Sequence, residues 1–128
     1  MKVLLDTCSF IWLLSGSSSL SDTARRCIQD MQGPLFLSVV SMWEVALKYY
    51  AGKLSFPAHP GIFIPETCKE RAISMVSLMP EEVFALEGLP VIHRDPFDRM
   101  LVSQARMRGM TILTPDRNIQ RYPVETMW

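Results

Sequence analysis

Val3-Leu4-Leu5-Asp6-Thr7 near the start of the chain and Ile112-Leu113-Thr114-Pro115-Asp116 near its end decide the fold. Each is a short apolar run that closes on an aspartate. Continuous runs of this kind read as strands covered on both faces, the habit of parallel sheets, whereas half-exposed strands alternate apolar with polar. In an open α/β sheet, ligands bind just beyond the carboxyl ends of the strands. Asp6 and Asp116 are therefore expected at one edge of one sheet, although they come from opposite ends of the chain.

The sequence between them alternates short apolar runs with helical patterns, which is the signature of βαβ units. Strands are expected over 2–6, 35–39, 72–78 and 110–114, with a short last one from Val124. The expected helices cover 10–14, a Ser21-capped stretch to about Gln32 stopped by Gly33-Pro34, Ser41 to about Tyr50, 61–71, Pro80 to near Gly88, and Asp95-Pro96 to Arg108 with Gly109 as its stop. With 128 residues and neither repeat nor linker, one domain over 1–128 is expected.

Composition narrows the function. Hydrophobic residues make up 48%, with nine Met, which is ample for a core and leaves a surplus suited to an apolar contact face such as a dimer interface. Trp12, Met42, Trp43, Tyr49 and Tyr50 are the candidates for a groove that takes a partner helix or strand, or for that dimer face; the competing reading puts all five in the core. Thirteen basic residues balance thirteen acidic ones, so bulk charge makes no case for nucleic acid. From Arg94 to Arg121, however, six Arg face three acids, and cation binding by those acids would leave the segment strongly positive. Three Cys with no C-x-x-C spacing read as reduced intracellular thiols. Asp6 interrupts the first apolar run too early for a signal peptide, and no apolar stretch is long enough to span a bilayer, so a cytoplasmic protein is expected.

The acids carry the chemistry, and each has a structural reading beside the functional one. Asp6 suits a cap for a helix over 7–14. Ser41-x-x-Glu44 matches a capping box, and Glu44 to Lys48 is a favourable i, i+4 pair. Asp95-Pro96-Phe97-Asp98 reads as a cap, a proline at the first helical position and an acid in the first turn. Asp116 suits a cap after a strand, and Thr114 offers a hydroxyl to orient a carboxylate or a water. Yet Asp6, Glu44, Asp98 and Asp116 in one cleft would be unstable without cations, which points to a divalent metal and phosphate chemistry. His59 and His93 stand alone, without metal-ligand spacing, and read as loop or surface residues. There is no Gly-rich phosphate loop and no G-x-S-x-G.

Taken in order, a strand-borne Asp6, a helix-borne Glu44, Asp98 opening a late helix and Thr114-x-Asp116 after a strand form a pattern. Leu4-Leu5-Asp6-Thr7 through Trp12, the stretch 38–48, the string His93-Arg94-Asp95-Pro96-Phe97-Asp98-Arg99-Met100-Leu101 and the stretch 111–118 carry it. The chain resembles the PIN domain and, within it, the VapC-like toxins of bacterial toxin–antitoxin pairs. That resemblance implies a three-layer α/β/α sandwich with a central parallel sheet of four to five strands. It implies a Mg²⁺- or Mn²⁺-dependent endoribonuclease, commonly a homodimer, held inactive by a small antitoxin. Asp6, Glu44, Asp98 and Asp116 take the positions of its catalytic acids, with Asp6, Asp98 and Asp116 as metal ligands and Glu44 as a ligand or as the group that orients the attacking water. Thr7, Asp95 and Thr114 are supporting residues, and Arg94, Arg99 and Arg117 are candidates for RNA phosphate contacts. The competing readings are a catalytically silent PIN-like module that binds RNA or protein, and a metal-dependent phosphatase for small molecules.

Overall fold

The structure, a computed structural model, describes residues 1–30 and 33–128. Among these the order is β1 (Val3–Leu5), α1 (Thr7–Ser15), α2 (Asp22–Gln29), β2 (Leu35–Ser38), α3 (Val39–Tyr50), α4 (Pro60–Glu70), β3 (Ile73–Val76), α5 (Pro80–Phe84), α6 (Pro96–Arg108), β4 (Thr111–Leu113) and β5 (Thr126–Met127), with 3-10 turns at Ala85–Gly88 and Ile119–Arg121. The expected end of the second helix near Gln32 falls outside the described residues.

All strands run parallel in the order β3-β2-β1-β4-β5. The first strand is thus central, with Leu5 level with Leu37 on one side and Leu113 on the other. The chain builds outward from β1 through β2 to β3, then returns to lay β4 against the other side of β1. The gap between β1 and β4 is therefore the topological switch point, where open α/β sheets form their binding crevice. Asp6 leaves β1 at that point, and Thr114 leaves β4.

Alternation along β1 distributes the layers. Val3 and Leu5 pack with Phe10 and Leu13 of α1, Ala24 and Ile28 of α2, and Ile64 and Cys68 of α4. Leu4 points the other way, to Leu101, Val102 and Ala105 of α6. Covering both faces is what made these strands read as unbroken apolar runs. The three-layer α/β/α expectation holds, with five strands and six α-helices among the described residues.

One helix boundary corrects the sequence reading in a way that matters for the site. The third helix begins at Val39, and its cap is Ser38, whose hydroxyl accepts from the Val40 N–H at 3.0 Å. Val39-Val40 is β-branched and extends the apparent strand, which hid the cap. Ser41 lies inside the first turn, so the Ser41-x-x-Glu44 capping box does not form. At the far side, Glu82 of α5 is 2% exposed and receives Arg108 at the end of α6 through two nitrogens, at 3.1 and 2.7 Å. That pair fastens α5 to α6, whose opposite end carries Asp98. Gly109, at φ 63°, ends α6 in the left-handed conformation that glycine adopts most readily. Among the described residues, no helix is long and apolar enough to cross a membrane.

Candidate active site

A cleft of about 510 Å³ opens at the carboxyl end of the sheet and is lined by Asp6, Thr7, Glu44, Lys48, Lys53, Asp95, Asp98 and Asp116, among others. Four segments converge on it: the β1–α1 junction, α3, the start of α6 and the turn after β4.

Asp6 caps α1, its Oδ1 accepting from the Ser9 N–H at 2.8 Å, while Oδ2 accepts from the Thr114 hydroxyl at 2.6 Å. Thr114 also accepts from the Asp116 N–H at 3.0 Å, so one buried threonine ties the Asp6 carboxylate after β1 to the Asp116 backbone after β4. Asp116 Oδ1 takes the N–H groups of Asn118 and Ile119 at 2.7 and 3.1 Å. Asp95 caps α6 by accepting from the Asp98 N–H at 3.0 Å. Thr7 donates to Ser41 at 3.1 Å, tying α1 to α3. Capping and cleft-lining thus coincide at Asp6 and Asp95. Glu44 has no cap to serve. Its Oε2 lies 3.4 Å from the Lys48 ammonium, and Oε1 is the one fully buried side-chain oxygen without a hydrogen-bond partner among the described residues.

Burial raises the Asp6 carboxyl above its ordinary value, with Asp116 adding a smaller repulsion and the Ser9 and Thr114 hydrogen bonds opposing. Burial likewise pushes Asp98 up to about 6, against the His93 hydrogen bond and with Asp95, Asp116 and Glu44 adding repulsion. Cys8, beside Asp6, is pushed up to about 11 by burial and then by Asp6, which excludes a thiolate nucleophile near neutral pH. The Asp98 shift gives a first expected result. A carboxyl with a raised folded-state pKa contributes stability fully below its unfolded value near 3.8 and loses it as pH rises through about 6. The melting temperature of cation-free protein should therefore rise on acidification from about pH 7 to about pH 5. Asp98→Asn should flatten that slope, as thermal melts across this range would show.

The donors suit a hard divalent cation. They are carboxylate oxygens with a threonine hydroxyl nearby, the ligands of Mg²⁺ and Mn²⁺, and Glu44 lines the same cleft. Among the described residues, no three acids close on a common point as direct ligands.

The basic residues divide differently from the sequence reading. Lys48 and Lys53 line the acidic cleft. Arg94 and Arg99 line an adjoining apolar groove of about 340 Å³ with Val40, Trp43, Phe97 and Met100. Arg99 donates to the Pro90 carbonyl at 2.9 Å and to the Tyr122 hydroxyl at 3.0 Å, while Arg117 is exposed beside Asp116. His59 caps α4 on the surface. His93 lies in a loop, as read, but it is not isolated. Its ring is half-buried and spans from the Tyr122 hydroxyl, at 2.8 Å, to Asp98 Oδ2, at 3.1 Å. No spacing rule reveals such contacts in advance.

The comparison with known families decides the relationship: a model described as the PIN domain matches residues 3–125. The chain belongs to the PIN-domain family. One curated relative, ribonuclease VapC16 of Mycobacterium tuberculosis (strain ATCC 25618 / H37Rv), is 32% identical over 54 residues, which is 42% of this chain and 38% of that protein. The match therefore spans well under half of that relative's length. Among solved structures, VapBC2 from Rickettsia felis bound to a promoter DNA fragment superposes with a TM-score of 0.75 at 12% identity, covering 99% of this chain and 98% of that one. DNA-bound VapBC from Salmonella typhimurium gives 0.72 at 17% identity, covering 99% and 97%. A toxin–antitoxin complex from Klebsiella pneumoniae gives 0.66 at 14% identity, covering 98% and 96%. At these identities the likeness establishes the PIN-like fold.

Proposed function

We propose that this PIN-domain chain is a Mg²⁺- or Mn²⁺-dependent endoribonuclease, the toxin of a toxin–antitoxin pair. The observation that carries the reading is the cleft at the switch point: five carboxylates from four segments, one with a buried oxygen that no group among the described residues satisfies. Asp6, Asp98 and Asp116 are the residues that would hold the cation, with Asp95 supporting through α6. The cation, when bound, would neutralise phosphate charge and acidify a bound water. The chain's own groups do the rest. Ser9 and Thr114 hold Asp6 in one orientation, and Thr114 sets Asp116 relative to it. Glu44, which lines the cleft, is the carboxylate that would accept a proton from water and orient its attack. Lys48 and Lys53 offer positive charge to the RNA backbone inside the cleft, and the exposed Arg117 and Arg94 extend it outside. Attack on phosphorus breaks the P–O3′ bond and leaves 5′-phosphate and 3′-hydroxyl ends. The 2′-hydroxyl takes no part, so preference for RNA comes from shape and base contacts.

Cleavage of a structured RNA should require Mg²⁺ or Mn²⁺ and stop with excess chelator. Full activity in chelator would sink the metal-dependent reading. Binding of RNA without cleavage under any divalent ion would favour the silent module.

The same reading assigns an antitoxin, or a second copy of the chain, to the outer face of α3. Val39, Trp43 and Leu47 recur every four residues there and are 44%, 60% and 47% exposed, with Tyr50 at 70% beyond them. Trp12, Met42 and Tyr49 are instead half-buried, Trp12 tilted against Trp128. A large aromatic at the centre of an apolar face is the residue type that dominates binding energy. Trp43→Ala should weaken dimer or antitoxin affinity by at least about 2 kcal/mol while the fold persists, since Trp43 touches mainly Phe97 at its edge. Unchanged affinity in titrations of the folded variant would remove this face.

A further inference from the structure

His93 and Tyr122 belong to no assigned site, yet they join the acidic cleft to the scaffold. Tyr122 is 3% exposed, and its phenol oxygen is crowded with partners. It lies 3.0 Å from Arg99 Nη1, 3.3 Å from the His93 backbone N, 2.8 Å from His93 Nδ1 and 3.4 Å from the His93 carbonyl. A phenol has two lone pairs and one proton. The guanidinium and the backbone N–H can only donate, so together they take both lone pairs. The phenol proton must then go outward, and Nδ1 is the nearer acceptor. A ring that accepts at Nδ1 carries its proton on Nε2, and Nε2 is 3.1 Å from Asp98 Oδ2. The other tautomer, or a doubly protonated ring, would present a third donor to an oxygen already holding two. Donation therefore runs one way along the whole chain, from Arg99 to Tyr122 to His93 to Asp98.

We propose that His93 is a positioning residue: backed by Tyr122 and Arg99, it donates from Nε2 to Oδ2 of Asp98 and leaves Oδ1 as the oxygen that Asp98 offers to the cleft. The proposal deepens the nuclease reading and rests on it, since Asp98 needs a fixed orientation only if it serves a cation. Asp98 stands in the first turn of α6, where its own backbone N–H is already taken by Asp95. Its carboxylate has no other side-chain or backbone donor among the described residues, so the imidazole is what selects its rotamer. Hydrogen-bonded outer partners of this kind typically contribute about 10- to 100-fold to metal affinity. Arg99 acquires a role as well. Its Nη1 is held by Pro90 and Tyr122, and its guanidinium lies 5.8 Å from the Tyr122 ring centroid, which makes it the anchor of the relay rather than a free phosphate contact.

The test has two independent arms. In metal-free ¹⁵N-labelled wild-type protein, long-range ¹H–¹⁵N correlations should place the proton of the singly protonated His93 ring on Nε2. A singly protonated ring with its proton on Nδ1 overturns the proposal without any variant having to fold. In the second arm, Mn²⁺ alone is titrated and followed by electron paramagnetic resonance, with no RNA present. His93→Ala should bind Mn²⁺ about 10- to 100-fold more weakly than wild type. His93→Gln, which keeps a donor amide near the Nε2 position, should recover most of the loss. Wild-type affinity in a folded His93→Ala protein, or equal losses in both variants, overturns the positioning role while leaving the nuclease reading intact. Failure of the wild type itself to bind Mn²⁺ or cleave RNA is a different result: it overturns the nuclease reading and this proposal with it.

Discussion

Asp6→Asn is expected to abolish RNA cleavage and the melting-temperature rise induced by Mg²⁺, while the metal-free variant is at least as stable as wild type. The substitution keeps the shape of the side chain and an oxygen to accept the Ser9 N–H, and Asn caps helices about as well as Asp. The new amide can donate to the Thr114 hydroxyl that now bonds Oδ2. What disappears is a charge that is 3% exposed and disfavoured chiefly by burial, with repulsion from Asp116 as the smallest contribution. Removing it relieves the metal-free fold. Activity moves the other way, because the variant offers a cation one anionic oxygen fewer. The loss should exceed the roughly 10- to 100-fold that removing an outer partner costs. If Asp6 were only a helix cap, Asn would be nearly neutral for both properties. Paired melts with and without Mg²⁺ beside an RNA assay separate the cases. Wild-type cleavage with an unchanged metal-induced shift would take Asp6 out of the site.

Asp6 and Asp116 were legible because the strands they follow are covered on both faces and read as unbroken apolar runs. That alone put both carboxylates at one sheet edge, where the β1–β4 switch point now holds them. Other residues were legible in type but not in role. Glu44 has the lysine pair that its spacing suggests and lines the cleft as well, so neither reading excluded the other. Its supposed capping box failed because two β-branched valines concealed Ser38 as the true cap. Local pattern could not reach His93, whose partners are Asp98, five residues on, and Tyr122, 29 residues on. Only the packing of the 3-10 turn at Ile119–Arg121 beside α6 brings that phenol to the ring. The positive stretch from Arg94 to Arg121 fell short for a related reason. Counting charges says nothing about their partners, and Arg99 and Arg108 hold internal oxygens.

Arg108→Ala is expected to destabilise the fold by about 3 kcal/mol although it lies far from the cleft, the low end of the range for breaking a buried pair. Glu82 is almost completely buried and accepts three N–H groups: two from Arg108 and one from the Met79 backbone at 2.9 Å. Truncating the arginine strands the carboxylate with only Met79. It also removes the shorter of two bonds to the Ser77 carbonyl, which Arg108 holds at 2.6 Å and Gln104 at 3.2 Å. Arg108 is about a quarter exposed, with a side-chain accessibility of 26%, so water can partly replace it, which is why the low end applies. Replacing both partners removes the stranded charge. Glu82→Leu combined with Arg108→Leu should thus recover much of the loss, since apolar pairs often substitute for buried ion pairs at little cost. Urea unfolding of the two single variants and the double variant gives the coupling directly. Near-additive losses would mean that the pair does not brace α5 to α6. Because Arg108 sits at the far end of α6 from Asp98, the folded fraction of Arg108→Ala should bind Mn²⁺ as wild type does, and so separate loss of scaffold from loss of site.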